Sequence, residues 1–113
     1  DELLAADQLR AEHAAGHVLA GFREAPIQFA PTYRYNRGDR SFSDEKLRNP
    51  SWCDRVLVRS QPALEGCLQQ TLYAACTDIS TSDHNPVVAL FRLAPHWHVL
   101  PERPEPPLRL VLS

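Results

Sequence analysis

The sequence predicts an α/β fold that does not close a core from its own elements. Three observations carry this reading. Residues 2–15 place apolar side chains at helical spacing, three strand candidates follow further along, and two of those strands are apolar on both faces. Strands of that kind need a layer on each side, and 113 residues hardly supply both.

The helix comes first. Leu3, Leu4, Ala6, Leu9, His13 and Ala14 recur at the spacing of one helical face, with acids and glutamine between them. Asp1 or Glu2 suits the first turn, and Gly16 or Gly21 suits the end. His13 and His17 lie four apart, the spacing of a metal pair on one helical face, but HAAGH lacks the glutamate of a zincin motif. Ordinary surface or boundary histidines are the expectation. Residues 26–35, PIQFAPTYRY, then read as an extended segment, and residues 36–50 as a long polar loop ending at Pro50. A loop of that length without a core of its own is more often functional than structural.

The strand candidates are Cys53–Arg59, Cys67–Ala75 and Pro86–Leu93. In the first, Val56, Leu57 and Val58 form a continuous apolar run suited to a sheet buried on both faces. The second alternates, with Leu68, Leu72 and Ala74 on one side and Gln69, Thr71 and Tyr73 on the other. The third, PVVALFRL, is again apolar on both faces, and a polar turn over Thr77–Asn85 precedes it. Residues 1–93 are thus the body of the chain. Residues 94–107, with five prolines, read as a stiff linker, and LRLVLS at 108–113 reads as the possible start of a following β domain.

Composition narrows the function classes. A net charge of −2 gives no general attraction to nucleic acid or to an anionic membrane, so an anion site must be local. The charge is uneven: from Tyr33 to Arg59 the chain carries +3, and the remainder −5. A basic island in an acidic chain fits an anionic ligand, although a solvated loop with incidental arginines has the same charge. Cys53, Cys67 and Cys76 form no CxxC pair, so zinc and a disulfide framework are not indicated. Buried reduced thiols in a cytosolic protein are expected. The chain contains no Met, which fits a segment of a longer polypeptide.

Three clusters carry chemistry. Thr81-Ser82-Asp83-His84-Asn85-Pro86-Val87 sets a carboxylate beside an imidazole at the mouth of a strand. Such a carboxylate suits a divalent metal or a water, and such an imidazole suits proton transfer or donation to a phosphoryl oxygen. Pro50-Ser51-Trp52-Cys53-Asp54-Arg55-Val56-Leu57 opens an apolar strand with an acid and a base. A buried Asp54 would need a partner, either His84 or a neighbouring Arg. Pro31-Thr32-Tyr33-Arg34-Tyr35 is followed by Glu45-Lys46-Leu47-Arg48, and Tyr33, Arg34, Lys46 and Arg48 together suit a multidentate phosphate pocket.

In order and spacing these clusters resemble the inositol polyphosphate 5-phosphatases, of the endonuclease/exonuclease/phosphatase superfamily. The matching stretches are FAPTYRY at Phe29–Tyr35, SDEKLRNPSWCDRVL at Ser43–Leu57 and TSDHNPV at Thr81–Val87, and the resemblance runs from Leu3 to Phe91. It implies the C-terminal part of a catalytic domain built as a four-layer α/β sandwich, two packed and mainly antiparallel sheets flanked by helices. Asp83 and His84 match the active-site pair, with Asp83 beside Mg²⁺ and the attacking water and His84 on the scissile phosphate. Asp54 matches the acid that orients that histidine. Tyr33, Arg34, Lys46 and Arg48 match the grip on the 4-phosphate of the ring, where many members have Lys in place of Arg34.

The implied activity is Mg²⁺-dependent hydrolysis of the 5-phosphate from phosphoinositides or inositol polyphosphates. The implied setting is cytoplasmic and peripheral at membranes, with no nucleic-acid partner. The family's Asn and Glu for the metal and its GDxNYR segment do not occur in this sequence, so the chain alone is expected to be inactive. The alternative is a non-catalytic phosphoinositide-binding module. A nuclease or sphingomyelinase of the same fold group would share SDH but not PTYRY with EKxR.

Overall fold

The computed structural model of the chain describes residues 2–39, 41–43 and 49–94. Of the linker expected at 94–107 and the strand expected at 108–113, only Ala94 is among the described residues.

The N-terminal helix is two helices, α1 (Glu2–Ala5) and α2 (Gln8–Ala14). Asp7 breaks the run. Its backbone is extended, and its side chain accepts from Arg10 N at 2.9 Å, the N-cap arrangement that starts α2. At the other end Gly16 takes φ 75°, a conformation that L side chains avoid. Gly16 N donates to His13 O and His17 N to Glu12 O, both at 3.0 Å, which closes the helix in a Schellman motif. His13 and His17 do not converge: His13 Nε2 lies 2.9 Å from Phe22 O, and His17 Nδ1 lies 2.8 Å from Glu12 Oε2.

Two antiparallel strand pairs follow. Strands β1 (Arg23–Glu24) and β2 (Leu57–Val58) pair Arg23 with Val58 and Glu24 with Leu57. The strand expected over Cys53–Arg59 is therefore only its last part; Ser51 pairs with Tyr33 as an isolated bridge, and a bend occurs at Asp54. Strands β3 (Leu68–Ala75) and β4 (Val87–Leu93) pair along their whole length, from Leu68 with Leu93 to Ala75 with Val87.

The register shifts between Gln70 and Leu72. One extra residue in a strand of period two exchanges its faces. Leu72, expected to share a face with Leu68, is exposed. Tyr73, expected on the polar side, instead turns inward, where its ring meets Phe29 edge-on at 5.0 Å between centroids.

Among the described residues Tyr35 is the one buried hydrophobic side chain, while Leu72, Val88, Leu90, Phe91 and Leu93 of the β3–β4 pair are exposed. The strands with two apolar faces are present, but the described residues do not bury those faces. The expected burial of the cysteines does not hold either. Cys53 is exposed and Cys67 and Cys76 are half-buried, all three as free thiols. Cys53 lies outside the ladder, on the segment that leads into β2, and so has no sheet to cover it.

An ionic network ties the helices to the strands. The Arg55 side chain is only 5% exposed, and its guanidinium grips Glu24 through two bonds, Nε to Oε1 at 2.7 Å and Nη2 to Oε2 at 2.8 Å. Its Nη1 donates to both oxygens of Asp7, at 2.9 and 2.8 Å. Tyr73 Oη donates to Glu24 Oε1 at 2.7 Å and accepts from Val56 N at 3.1 Å. Removing one partner from a buried pair of this kind typically costs about 3–5 kcal/mol, because the other charge is left uncompensated. The carboxylates around Arg55 push its guanidinium pKa up, the hydrogen bond that Arg55 donates to Glu24 contributing most. Burial, with the bond to Glu24, pushes the Tyr73 hydroxyl up to about 12.

Candidate active site

The PTYRY segment is the spine of the site. It runs between residues 51–54 on one side and 83–85 on the other, and its backbone bonds both. Tyr33 O accepts from Ser51 N at 2.8 Å, and Ser51 O accepts from Tyr33 N at 3.1 Å. On the opposite flank Asn85 N donates to Thr32 O at 2.8 Å and Tyr35 N to Asp83 O at 2.9 Å. Tyr33 forms isolated bridges with both Ser51 and His84. Segments about thirty residues apart in sequence are thereby clamped across one strand-like stretch. Thr32 at the centre is fully buried, and its hydroxyl oxygen has no hydrogen-bond partner among the described residues.

Asp54 and His84 meet as a result. His84 Nδ1 lies 2.6 Å from Asp54 Oδ2. An ionised carboxylate only accepts, so Nδ1 carries the hydrogen and Nε2 is the ring atom left for chemistry. The expectation that Asp54 would be buried is corrected: its side chain is 47% exposed and that of His84 41%. Asp54 lies at a bend ahead of β2, outside the apolar strand itself. The competing partner considered for it, a neighbouring Arg, is ruled out for Arg55, which is committed to Glu24 and Asp7.

Tyr33, Arg34 and Asp83 surround the pair. The Tyr33 ring lies 4.8 Å from the His84 ring, centroid to centroid, at a 46° tilt, which restrains the imidazole from one face. Arg34 Nε lies 3.6 Å from Asp83 Oδ2, with the Arg34 side chain mostly buried. His84 N also donates to Ser82 Oγ at 3.2 Å, fixing the turn that presents Asp83 and His84 together. The structure thus brings together Tyr33, Arg34, Asp54, Asp83 and His84. Lys46 and Arg48 lie outside the described residues.

Beside the spine, Tyr35 stacks on Phe42 at 4.6 Å and donates to Pro31 O at 2.7 Å. Burial raises the Tyr35 hydroxyl pKa. At the exposed tip of this loop the Ser41 hydroxyl and backbone N–H both donate to Asp39 Oδ1, and these bonds hold the Asp39 carboxyl below its usual range.

The donor set for a metal is thin. Among the described residues no three His, Cys, Asp or Glu side chains converge on one point. Asp83 supplies a hard oxygen of the kind Mg²⁺ prefers, but octahedral coordination needs further oxygens. The described residues therefore do not make a metal site by themselves.

Sequence reasoning missed Asp7, Glu24, Arg55 and Tyr73 as a unit. One signal was available: an Arg directly preceding the apolar run Val56–Val58 must find carboxylates if it is buried.

Comparison with known proteins shows the family. The model of the Endonuclease/Exonuclease/phosphatase family 2 matches residues 1–90. Type I inositol polyphosphate 5-phosphatase 13 of Arabidopsis thaliana is 44% identical over 104 residues, covering 80% of this chain and 9% of that protein. Phosphatidylinositol 3,4,5-trisphosphate 5-phosphatase 2B of Danio rerio is 42% identical over 101 residues, covering 82% and 8%. The chain thus spans about a tenth of the length of these relatives.

Among solved structures, the inositol polyphosphate 5-phosphatase domain of SpSynaptojanin, in complex with inositol (1,4)-bisphosphate and calcium, superposes with a TM-score of 0.67 at 30% identity. It covers 81% of this chain and 27% of that one. A Cimex nitrophorin mutant in its ferrous NO complex superposes at 0.72, also at 30% identity, covering 83% and 32%. The shared fold therefore does not name the chemistry, and the site residues must. Those residues, the family match and the curated relatives agree: the chain belongs to the inositol polyphosphate 5-phosphatases of the endonuclease/exonuclease/phosphatase family.

Proposed function

We propose that this chain is the C-terminal part of a catalytic domain that hydrolyses the 5-phosphate of phosphoinositides or inositol polyphosphates. The observation that carries the reading is the Asp54–His84 pair at 2.6 Å, set beside Asp83 and Arg34 in a chain whose curated relatives are 5-phosphatases. Asp54 accepts from Nδ1–H and so keeps His84 in one tautomer and one orientation, as a carboxylate partner commonly does. His84 Nε2 is then the atom that contacts the scissile phosphate and stabilises the charge developing there. Tyr33 and Arg34, with Lys46 and Arg48, hold the ring through its 4-phosphate.

Mg²⁺ is the proposed ion, with Asp83 as its ligand from this chain; when bound, such an ion polarises the phosphoryl oxygen. The complete domain is proposed to be a four-layer sandwich in which further strands and helices cover the exposed faces of β3 and β4. Residues 94–107 would be a linker to a following β domain, and the protein would work in the cytoplasm at membrane surfaces.

The test is phosphate release from phosphatidylinositol 4,5-bisphosphate by the complete catalytic domain with Mg²⁺, the product's ring position being read by mass spectrometry. Loss of the 5-phosphate is expected, with no release by residues 1–113 alone. A complete domain that binds the lipid without releasing phosphate would establish the binding-module reading instead.

A further inference from the structure

Arg55 is one residue from Asp54 and takes no part in the chemistry described above. The backbone that carries Asp54 has little ladder support. Ser51 is held by Tyr33, β2 begins only at Leu57, and a bend lies between them at Asp54 itself. Side chains hold that stretch instead. Trp52 Nε1 donates to Phe29 O at 2.9 Å, and Arg55 Nη1 reaches back to Trp52 O at 3.4 Å. Val56 N is held by Tyr73 Oη at 3.1 Å, and Tyr73 Oη is held in turn by Glu24. The Arg55 guanidinium is locked between Glu24 of β1 and Asp7 at the start of α2. Both residues that follow Asp54, and Trp52 before it, are therefore tied into one part-buried network.

We infer that Arg55, held by Asp7 and Glu24 while Tyr73 bridges Glu24 to Val56 N, is a positioning residue that sets the Asp54 carboxylate against His84 Nδ1. The pair itself is half exposed, so its geometry has little packing of its own to enforce it. A fork of four bonds to two carboxylates supplies a rigid anchor one residue away, and a point-charge lysine cannot reproduce it. The network acts through His84, and this separates a positioning role from general support of the fold.

The inference rests on the phosphatase reading for its kinetic arm only. In the complete catalytic domain, Arg55→Lys is expected to lower kcat by roughly 10-fold, with KM within about twofold. In a His84→Ala background the same substitution is expected to change kcat by less than about twofold, because residues acting as one unit are not additive. Tyr73→Phe keeps the ring against Phe29 and removes only the hydroxyl bridge; it is expected to give a smaller loss with the same dependence on His84. If Arg55→Lys fails to fold, this variant decides the matter.

The second arm needs no activity. The ¹⁵N shifts of the His84 ring in histidine-labelled protein report which nitrogen carries the hydrogen, with His84→Ala assigning the signal. The unmodified protein is expected to show Nδ1–H, and Arg55→Lys or Tyr73→Phe a shift toward Nε2–H. Equal fractional losses with and without His84, or an unchanged tautomer in both variants, would overturn the inference. A parent that shows the Nδ1–H tautomer and its loss on substitution but releases no phosphate would refute the phosphatase reading and leave the positioning role standing.

Discussion

Replacing Asp54 by Asn removes one charge and leaves the size of the side chain almost unchanged. The bond at stake, 2.6 Å from Oδ2 to His84 Nδ1, is short and charge-assisted. Hydrogen bonds to charged groups contribute about 1.5–3 kcal/mol. Both side chains are nearly half exposed, so water competes for them and the lower half of that range applies, about 1.5–2 kcal/mol. Expressed in the transition state, this is roughly a 10- to 30-fold loss of kcat. KM should hardly move, because an oriented imidazole acts on the reacting phosphate and not on ground-state binding. His84→Ala should cost more, about 10²- to 10⁴-fold for a positioned proton-transfer or donor group. The informative measurement is the double mutant, assayed in the complete catalytic domain by phosphate release under saturating substrate. With His84 absent, Asp54 has nothing to orient, so Asp54→Asn should add almost nothing to His84→Ala. Losses that multiply in the double mutant would refute the pairing as the source of the effect, and so would an Asp54→Asn variant within twofold of the parent.

Arg34 and Lys46 should separate in a substrate comparison. Arg34 faces Asp83 at 3.6 Å, so Arg34→Ala should lower kcat/KM on every substrate and further on those with a 4-phosphate. Lys46→Ala should cost about 10- to 150-fold only where the 4-phosphate is present; equal losses for Lys46→Ala on both substrate types would count against the clamp. Tyr73 gives a pH signature. Its folded pKa, near 12, lies above the ordinary value of 10.0, so the folded state holds the proton more tightly. The resulting stability is fully present below pH 10 and is lost as pH rises through about 12. Alkaline unfolding followed by circular dichroism should therefore lose part of its steepness between these values in Tyr73→Phe; an identical profile would remove Tyr73 as a contributor.

Much of the site was legible because its residues come in short contiguous runs. PTYRY, WCDRVL and SDHNPV each carry their chemistry within a few positions, and local sequence preserves that under any packing. The strands over β3 and β4 were also legible, since alternation and apolar runs follow from the backbone period. The helix was legible as a pattern but not as two pieces. Asp7 fits the polar positions of one continuous helix, and only its recruitment by Arg55, 48 residues away, shows that its carboxylate has a second partner.

The sequence by itself determined which groups are available: an acid before an apolar strand, an Asp-His pair before another, and a basic loop between the helix and both. Tertiary structure decided which groups meet. It turned Arg55 toward Glu24 and Asp7 and so left Asp54 to His84, a choice that depends on the placement of β1 and α2. It also turned Tyr73 inward through an extra residue in β3, reversing the face that simple alternation predicts. Both decisions have one physical cause. A buried charge or hydroxyl is costly without a partner, and the partner is found among residues that the fold, not the chain order, brings within hydrogen-bonding distance.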